Sequence, residues 1–458
     1  MRSSKHIMFI ALLLITLLAG CVQPAPSSRP WMLDSATAAV PMSLEQPAAS
    51  VELPTQRPVE SVYYTPTPDA PHNIPSGQGG GYSSDFKIIP DSELVYSPTS
   101  SMFDVASYIR EKGGYLSTYS EYVDDLGVEM SGSDIVKTLA LDYSVNPRLL
   151  LALLEYQSGW VSRSDVSENS KLYPLGLYDI NYPGLYVQLS WAADQLNFGY
   201  YCWKAGALAS TVLTDGNPVS FSATLNAGTV AVQYMLAMIN GVDGWALSVS
   251  PNGVYAAYGS LFGIPFDYSY EDMIPAGLAQ PTMQLPFEKG NTWSFTGGPH
   301  SAWGQYAAWG ALDFAPPSDI FGCFTTDVWA VAVADGVIVR SGNGAVVLDL
   351  DGDGREQTGW VVLYMHMESR GRVTVGTRVN AGDRIGHPSC EGGYSTATHL
   401  HLARRYNGEW IAADGSLPFV LDDWTSRGDG NEYNGYLEKN GNSIVAENGI
   451  INENQISR

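Results

Sequence analysis

From about Met283 to Asp423 the chain is written in short glycine-bounded runs: VWAVAV, GVIVRS, AVVLDL, WVVLYMHM, GRVTVGTRV, HLHLARR and EWIAA. Side chains alternate between the two faces of a strand, and turns such as Ala334-Asp335-Gly336 reverse the chain tightly. Such a pattern predicts a mostly antiparallel β-sheet or sandwich. Five of the seven histidines fall inside this stretch, and the four cysteines are too few for a disulfide-built scaffold.

The preceding region has a different period. Between about Phe103 and Gly263 apolar residues return at helical spacing. Ser133 and Asp134 read as cap and first turn of one helix, and Asn146-Pro147 opens a second through Leu149, Leu150, Leu153 and Leu154. Further helices are expected around Tyr186–Ala209, Ser220–Ile239 and Gly253–Phe262, with Trp160, Trp191, Trp203 and Trp245 in their core. The run VNPRLLLALLEYQSGW, with LNAGTVAV at Leu225–Val232, resembles the lysozyme-like lytic transglycosylases. The position matching their catalytic acid is Gln157, and an amide cannot protonate a glycosidic oxygen. Glu155 is no substitute, because two residues along a helix turn a side chain by about 200°. The resemblance implies a lysozyme-like domain over 84–282 that is non-catalytic, with a glycan-binding or spacer role.

At the amino terminus, Arg2, Lys5 and His6 precede an apolar run from Ile7 to Leu18, which reads as a signal peptide over 1–20. The segment is shorter than the roughly 20 apolar residues a bilayer-spanning helix needs. Leu18-Ala19-Gly20-Cys21 resembles the lipobox of bacterial lipoproteins, which implies lipidation at Cys21 and an extracytoplasmic, membrane-anchored protein of the cell envelope. An ordinary secretory signal or a transmembrane anchor are the alternatives. Residues 21–83 are rich in proline and end in SGQGGGYSS, the composition of a tether with a reach on the order of 150 Å. With 24 Lys+Arg against 47 Asp+Glu the formal charge is -23, which excludes nucleic acid as a natural partner.

The chemistry is concentrated in the histidines. His399-Leu400-His401 lies on an expected strand, where residues i and i+2 share a face with Cβ atoms about 6.5–7 Å apart. One imidazole of such a pair can bind a metal while the other reaches that metal's water. His366 ends another strand, and GGPHSAWGQYAAWGALDFAPPSD supplies His300 and Asp313. His300, Asp313 and His401 would leave the fourth tetrahedral position of a catalytic zinc for water. His366 and His399 remain to take the water's proton, to stabilise an oxyanion or to protonate a leaving amine.

At these residues the chain resembles the lysostaphin-type (LytM-like) zinc metallopeptidases, which cleave peptide bonds in bacterial peptidoglycan. The resemblance is carried by GALDFAPP at Gly310–Pro317, by the strand closing in Tyr364–His366 and by Thr398–His401, over about 140 residues. It implies zinc ligands at His300, Asp313 and His401, and catalytic roles for His366 and His399. One departure stands out. The usual first motif has three residues between His and Asp, whereas here twelve separate His300 from Asp313. Either those twelve form an excursion that brings His300 to the metal, or the site lacks that ligand or borrows His387.

Two secondary signals remain. Asp349, Asp351 and Asp353 alternate, with Gly354 sixth, like the start of an EF-hand, but position twelve is Trp360. Calcium (Ca2+) or a plain acidic hairpin turn are the two readings. Cys323 and Cys390 flank the site in loops, where export favours a bridge over two thiols, and Cys202 has no evident partner. The expected whole is a multidomain α and β chain: a helical domain, a mostly antiparallel Zn2+ metallopeptidase domain over 283–425, and a tail over 426–458. The expected function is a zinc endopeptidase acting on peptidoglycan stem or cross-bridge peptides. The rivals are a non-catalytic wall-binding scaffold or hydrolase activator, and a glycan-cleaving enzyme.

Overall fold

The computed structural model describes residues 81–458; the expected signal peptide, Cys21 and nearly all of the expected tether lie outside the described residues. No helix among the described residues is long and apolar enough to cross a membrane.

Helices build the first half. Helix α1 (Gly132–Tyr143) is capped by Ser131, whose side chain accepts from the Asp134 N–H, two residues before the expected cap. Helix α2 (Pro147–Ser158) opens as expected, with Asn146 Oδ1 accepting from the Arg148 N–H at 2.9 Å and proline where no intrahelical donor is needed. Helices α3 (Leu185–Lys204), α4 (Ala227–Ala237) and α5 (Val254–Phe262) complete the bundle. Helix α4 begins later than expected because Pro218–Ser220 pairs instead with Ser210–Val212. Leu149 to Leu154, Trp160 and Trp245 are fully buried in this core. Trp191 and Trp203 are only partly buried.

The second half is built on one antiparallel sheet. Its strands are β1 (Thr292–His300), β2 (Ala311–Ala315), β3 (Gly336–Gly342), β4 (Ala345–Asp349), β5 (Trp360–Met365), β6 (Arg378–Val379), β7 (Leu400–Tyr406), β8 (Glu409–Trp410) and β9 (Gln455–Ser457). They lie in the order β6-β3-β4-β5-β7-β2-β1-β9, with β8 paired to β7. Alternation sorts the side chains between two cores. Leu312, Phe314, Val362, Tyr364, Leu400 and Leu402 face one core, and Ala311, Val361, Leu363, Met365 and Ala403 face the other. The second face is turned toward the helices, with Tyr201 and Trp303 packed against it.

The seam between the halves is polar and buried. Ser144 Oγ donates to the Gly408 carbonyl at 2.6 Å, the Trp410 N–H donates to the Tyr201 hydroxyl at 3.0 Å, and Arg405 donates to the Leu141 carbonyl at 3.1 Å. Arg340 pairs both with Glu356, at 2.8 Å, and with Asp142 of α1. Stripping a partner from a buried charge is costly, so these contacts hold the two halves in one arrangement. Residues 420–445 form an antiparallel ribbon, and β9 returns to pair with β1, with Ile456 opposite Trp293.

Candidate active site

Three adjacent strands set the central geometry. His401 on β7 is directly opposite Asp313 on β2 and, on its other side, opposite Met365 on β5. Cross-strand neighbours share a face, so His401 and Asp313 project together. His300 ends β1, where the register against β2 shifts between Gly297 and His300. Such a bulge re-aims a side chain, and here the His300 ring comes beside the other two. Gly297 makes room: a Cβ there would lie 2.6 Å from Asp313 Oδ2. The ligand atoms close a tight triangle, with His300 Nε2 3.3 Å and His401 Nδ1 3.4 Å from Asp313 Oδ1, and 3.0 Å between the two nitrogens.

Backbone carbonyls decide which ring nitrogens carry protons. His300 Nδ1 lies 2.8 Å from the Gly298 carbonyl and His401 Nε2 lies 3.1 Å from the Ala302 carbonyl. A carbonyl only accepts, so both of those nitrogens bear hydrogen, leaving His300 Nε2 and His401 Nδ1 as lone pairs. Asp313 Oδ1, buried and without a hydrogen-bond partner, faces the same point. Two lone pairs and an orphaned carboxylate oxygen repel unless a cation sits among them. Ligand distances of about 2.0–2.1 Å in a tetrahedron place ligand atoms about 3.3–3.4 Å apart, near the separations seen here. The three residues therefore fit a divalent metal, and the twelve-residue interval does form the excursion that delivers His300.

His366 and His399 flank this triad. Their ring centroids are 4.5 Å apart, and His399 Nε2 lies 3.7 Å from Asp313 Oδ1. Simple alternation along β5 would send His366 to the Tyr364 side of the sheet, away from His401. Its backbone instead takes a left-handed φ of 63°, a strained conformation for a histidine, which brings the ring to the metal face. His366 Nδ1 contacts the Glu391 carbonyl at 3.2 Å and His399 Nδ1 the Ala397 carbonyl at 2.8 Å, so each presents a bare Nε2. Burial, and then His399 and His401, hold the His366 imidazole well below its ordinary value. It is neutral at neutral pH and able to accept a proton. Burial opposes ionisation of Asp313, but the positive charge that His300, and then His399, carries when protonated outweighs it and holds that carboxyl well below the usual range.

The triad opens onto a cleft of about 1760 Å³ walled on one side by the helical half, including Tyr122, Tyr182, Tyr186 and Trp191, and on the other by Phe321, Tyr394 and Tyr433. Tyr433 is a residue that motif reading missed. It belongs to the expected tail, has a left-handed φ of 66°, and stacks on the His300 ring at 4.2 Å between centroids. One tyrosine among 27 carries no signal in sequence; only the return of the tail beside β1 places it.

Other candidates lie elsewhere. His387 is buried against Trp329, with Nδ1 2.9 Å from the Val328 carbonyl, and takes no part in the triad. Cys323 and Cys390 are bridged, and no described cysteine is a free thiol, Cys202 included. Asp349, Asp351 and Asp353 do come together, with one ligand atom from each within 4.8 Å of the others, so the calcium and the hairpin-turn readings both stand. Asp349 accepts three backbone N–H groups, from Asp351, Gly352 and Gly354, and Asp351 and Asp353 accept from Asp353 and Arg355. These carboxylates close their own turn. Glu155 likewise accepts from the Val161 and Ser162 N–H groups, and neither it nor Gln157 lines the cleft.

Comparison with known proteins agrees with this division. Residues 87–275 match the family model of the LasA N-terminal domain, and residues 319–413 match peptidase family M23. The chain is 27% identical over 367 residues to protease LasA of Pseudomonas aeruginosa strain PAO1, covering 74% of this chain and 79% of that protein. Among solved structures, it is similar to the M23 metalloprotease pseudoalterin from the deep sea (26% identity, TM-score 0.30, 37% of this chain and 96% of that one). It is also similar to the catalytic domain of lysostaphin from Staphylococcus simulans (27% identity, TM-score 0.18, 28% and 89%). The chain is thus a homologue of protease LasA whose C-terminal domain belongs to peptidase family M23.

Proposed function

We propose that this protein is a zinc endopeptidase that hydrolyses stem or cross-bridge peptides of peptidoglycan from the outer side of a membrane, to which lipidated Cys21 tethers it. The observation that carries the reading is the convergence of two imidazole lone pairs and an unpartnered carboxylate oxygen beside two further imidazoles. His300, Asp313 and His401 would hold the zinc. A zinc ion there supplies Lewis acidity for the scissile carbonyl and a water made acidic enough to attack near neutral pH.

The chain's own groups handle the protons. A bare Nε2 of the His366–His399 pair accepts the proton released by the attacking water. Protonated at Nε2 by that transfer, the same ring then hands the proton to the leaving amine. The cleft is larger than the roughly 300–1,000 Å³ of small-molecule pockets, which favours a polymer substrate. Its tyrosines and Trp191 offer flat faces for sugar rings beside the peptide, while the net charge of -23 argues against capture by charge on an anionic wall.

Purified peptidoglycan incubated with the soluble part of the chain should release new amino groups, and a zinc chelator should abolish that release. New reducing or anhydro-sugar ends instead would move the assignment to glycan cleavage. Binding without either product would leave a scaffold.

A further inference from the structure

The excursion between His300 and Asp313 is held in part by the other half of the molecule. Residue Gln305 donates its N–H to Asp194 Oδ1 on α3 at 3.1 Å. Trp303 packs edge-on to Tyr143 of α1 at 6.4 Å, and Tyr306 edge-on to Phe198 of α3 at 5.4 Å. Gly304 takes a left-handed φ of 60° directly over the Asp194 carboxylate, where a Cβ would lie 2.4 Å from Oδ1. Inside the excursion, Ser301 Oγ accepts from the Ala307 N–H at 3.1 Å and donates to the Trp303 carbonyl at 3.0 Å, and the Ala302 N–H reaches the Ala308 carbonyl at 2.9 Å. The segment is thus a stiff unit, anchored from the helical half at Asp194 and from its own half at Glu432, which accepts the Ser301 N–H at 3.1 Å, and at Ala413, whose N–H reaches the Trp309 carbonyl at 2.8 Å.

Its metal-side end is the Ala302 carbonyl, which receives the Nε2–H of His401. That contact selects the His401 tautomer and sets the direction of Nδ1. Groups that orient a metal-bound imidazole this way affect metal affinity by about 10–100-fold when lost. We propose that Asp194 of the helical half is a positioning residue for the metal centre, fixing the excursion so that the Ala302 carbonyl aims His401 Nδ1 at the ion. The inference rests on the metal reading of the triad and adds to it that the centre is completed across the seam between the halves.

The test uses the full chain loaded with cobalt(II), whose visible absorption reports the geometry of a tetrahedral site, together with cobalt affinity by chelator competition. Asp194→Ala should shift the absorption bands and lower affinity about 10–100-fold. Asp194→Asn, whose amide oxygen can accept the same N–H, should restore both. Lys204→Ala breaks a different contact across the seam, to Glu409, and should change neither. Unchanged bands and affinity in Asp194→Ala overturn the proposal, as do equal changes in Lys204→Ala, which would mean general loosening of the seam. If Asp194→Ala does not fold, Gly304→Ala, which pushes the excursion off Asp194, must show the band shift; unchanged bands there overturn the proposal as well. Failure of the unaltered chain to give any tetrahedral cobalt spectrum removes the metal reading itself, and this inference with it.

Discussion

Two clusters in the β half look alike as lists of ligands and differ in their hydrogen bonds. Around Asp313, one carboxylate oxygen is buried with no donor and faces two imidazole nitrogens that backbone carbonyls have stripped of protons. Around Asp349, the carboxylate accepts three backbone N–H groups. A set of ligand residues becomes a metal site when its lone pairs are left over after the local backbone has been satisfied. The first cluster leaves one oxygen with no donor at all, whereas the second uses part of its lone pairs to close a turn. Asp194 is an intermediate case, a carboxylate that accepts backbone N–H groups from the other half and is nevertheless pushed up to about 7 by burial.

The contrast can be broken most directly at Asp313. Asp313→Ala should abolish chelator-sensitive peptidase activity, a loss of about 10⁴-fold or more, and leave the purified chain without bound zinc by elemental analysis. Retained zinc would show that the orphaned oxygen is not a ligand. His366→Ala or His399→Ala should lower kcat by about 10²–10⁴-fold while zinc content stays that of the unaltered chain. Joint loss of metal and activity would make that imidazole a ligand instead.

A smaller effect belongs to Asp194. The unfolded carboxyl ionises near 3.8 and the folded one near 7, so its contribution to stability is intact below about pH 4 and is lost as pH rises toward 7. Asp194→Asn removes that titration. Urea unfolding should show the variant gaining roughly 4 kcal/mol on the unaltered chain between pH 4 and pH 8. A constant difference would mean the carboxyl is not desolvated.

Smaller still, Asp349→Ala should cost about 1–3 kcal/mol by orphaning its N–H donors, with no change in melting temperature on adding calcium to the unaltered chain. A calcium-dependent rise would favour the ion-binding reading. Asp353→Ala, on the exposed part of the turn, should fall within about 0.5 kcal/mol.

Particular residues show where sequence reading succeeds. His401 falls on the expected strand because alternation is local, and Leu400 and Leu402 mark the opposite face. Asn146-Pro147 opened its helix for a similar reason, since capping needs only adjacent backbone. The Asp349 turn stays ambiguous because acidic residues at alternating positions read the same whether they bind an ion or their own amides. His366 lies outside what alternation predicts, because its left-handed φ depends on the surrounding loops. Tyr433 carries no signal, for its position beside His300 depends on backbone hydrogen bonds to Gly298 and Pro299 of β1, a strand remote from it in the chain.

By itself the sequence determined the two periods, hence a helical half and an antiparallel half, and which residue types could meet a metal, because both follow from interactions a few residues apart. Tertiary structure alone decided which lone pairs are left free, how the His300–Asp313 excursion is held, and that the helical half walls the cleft. Those outcomes depend on hydrogen bonds between segments remote in the chain, whose partners no local pattern specifies.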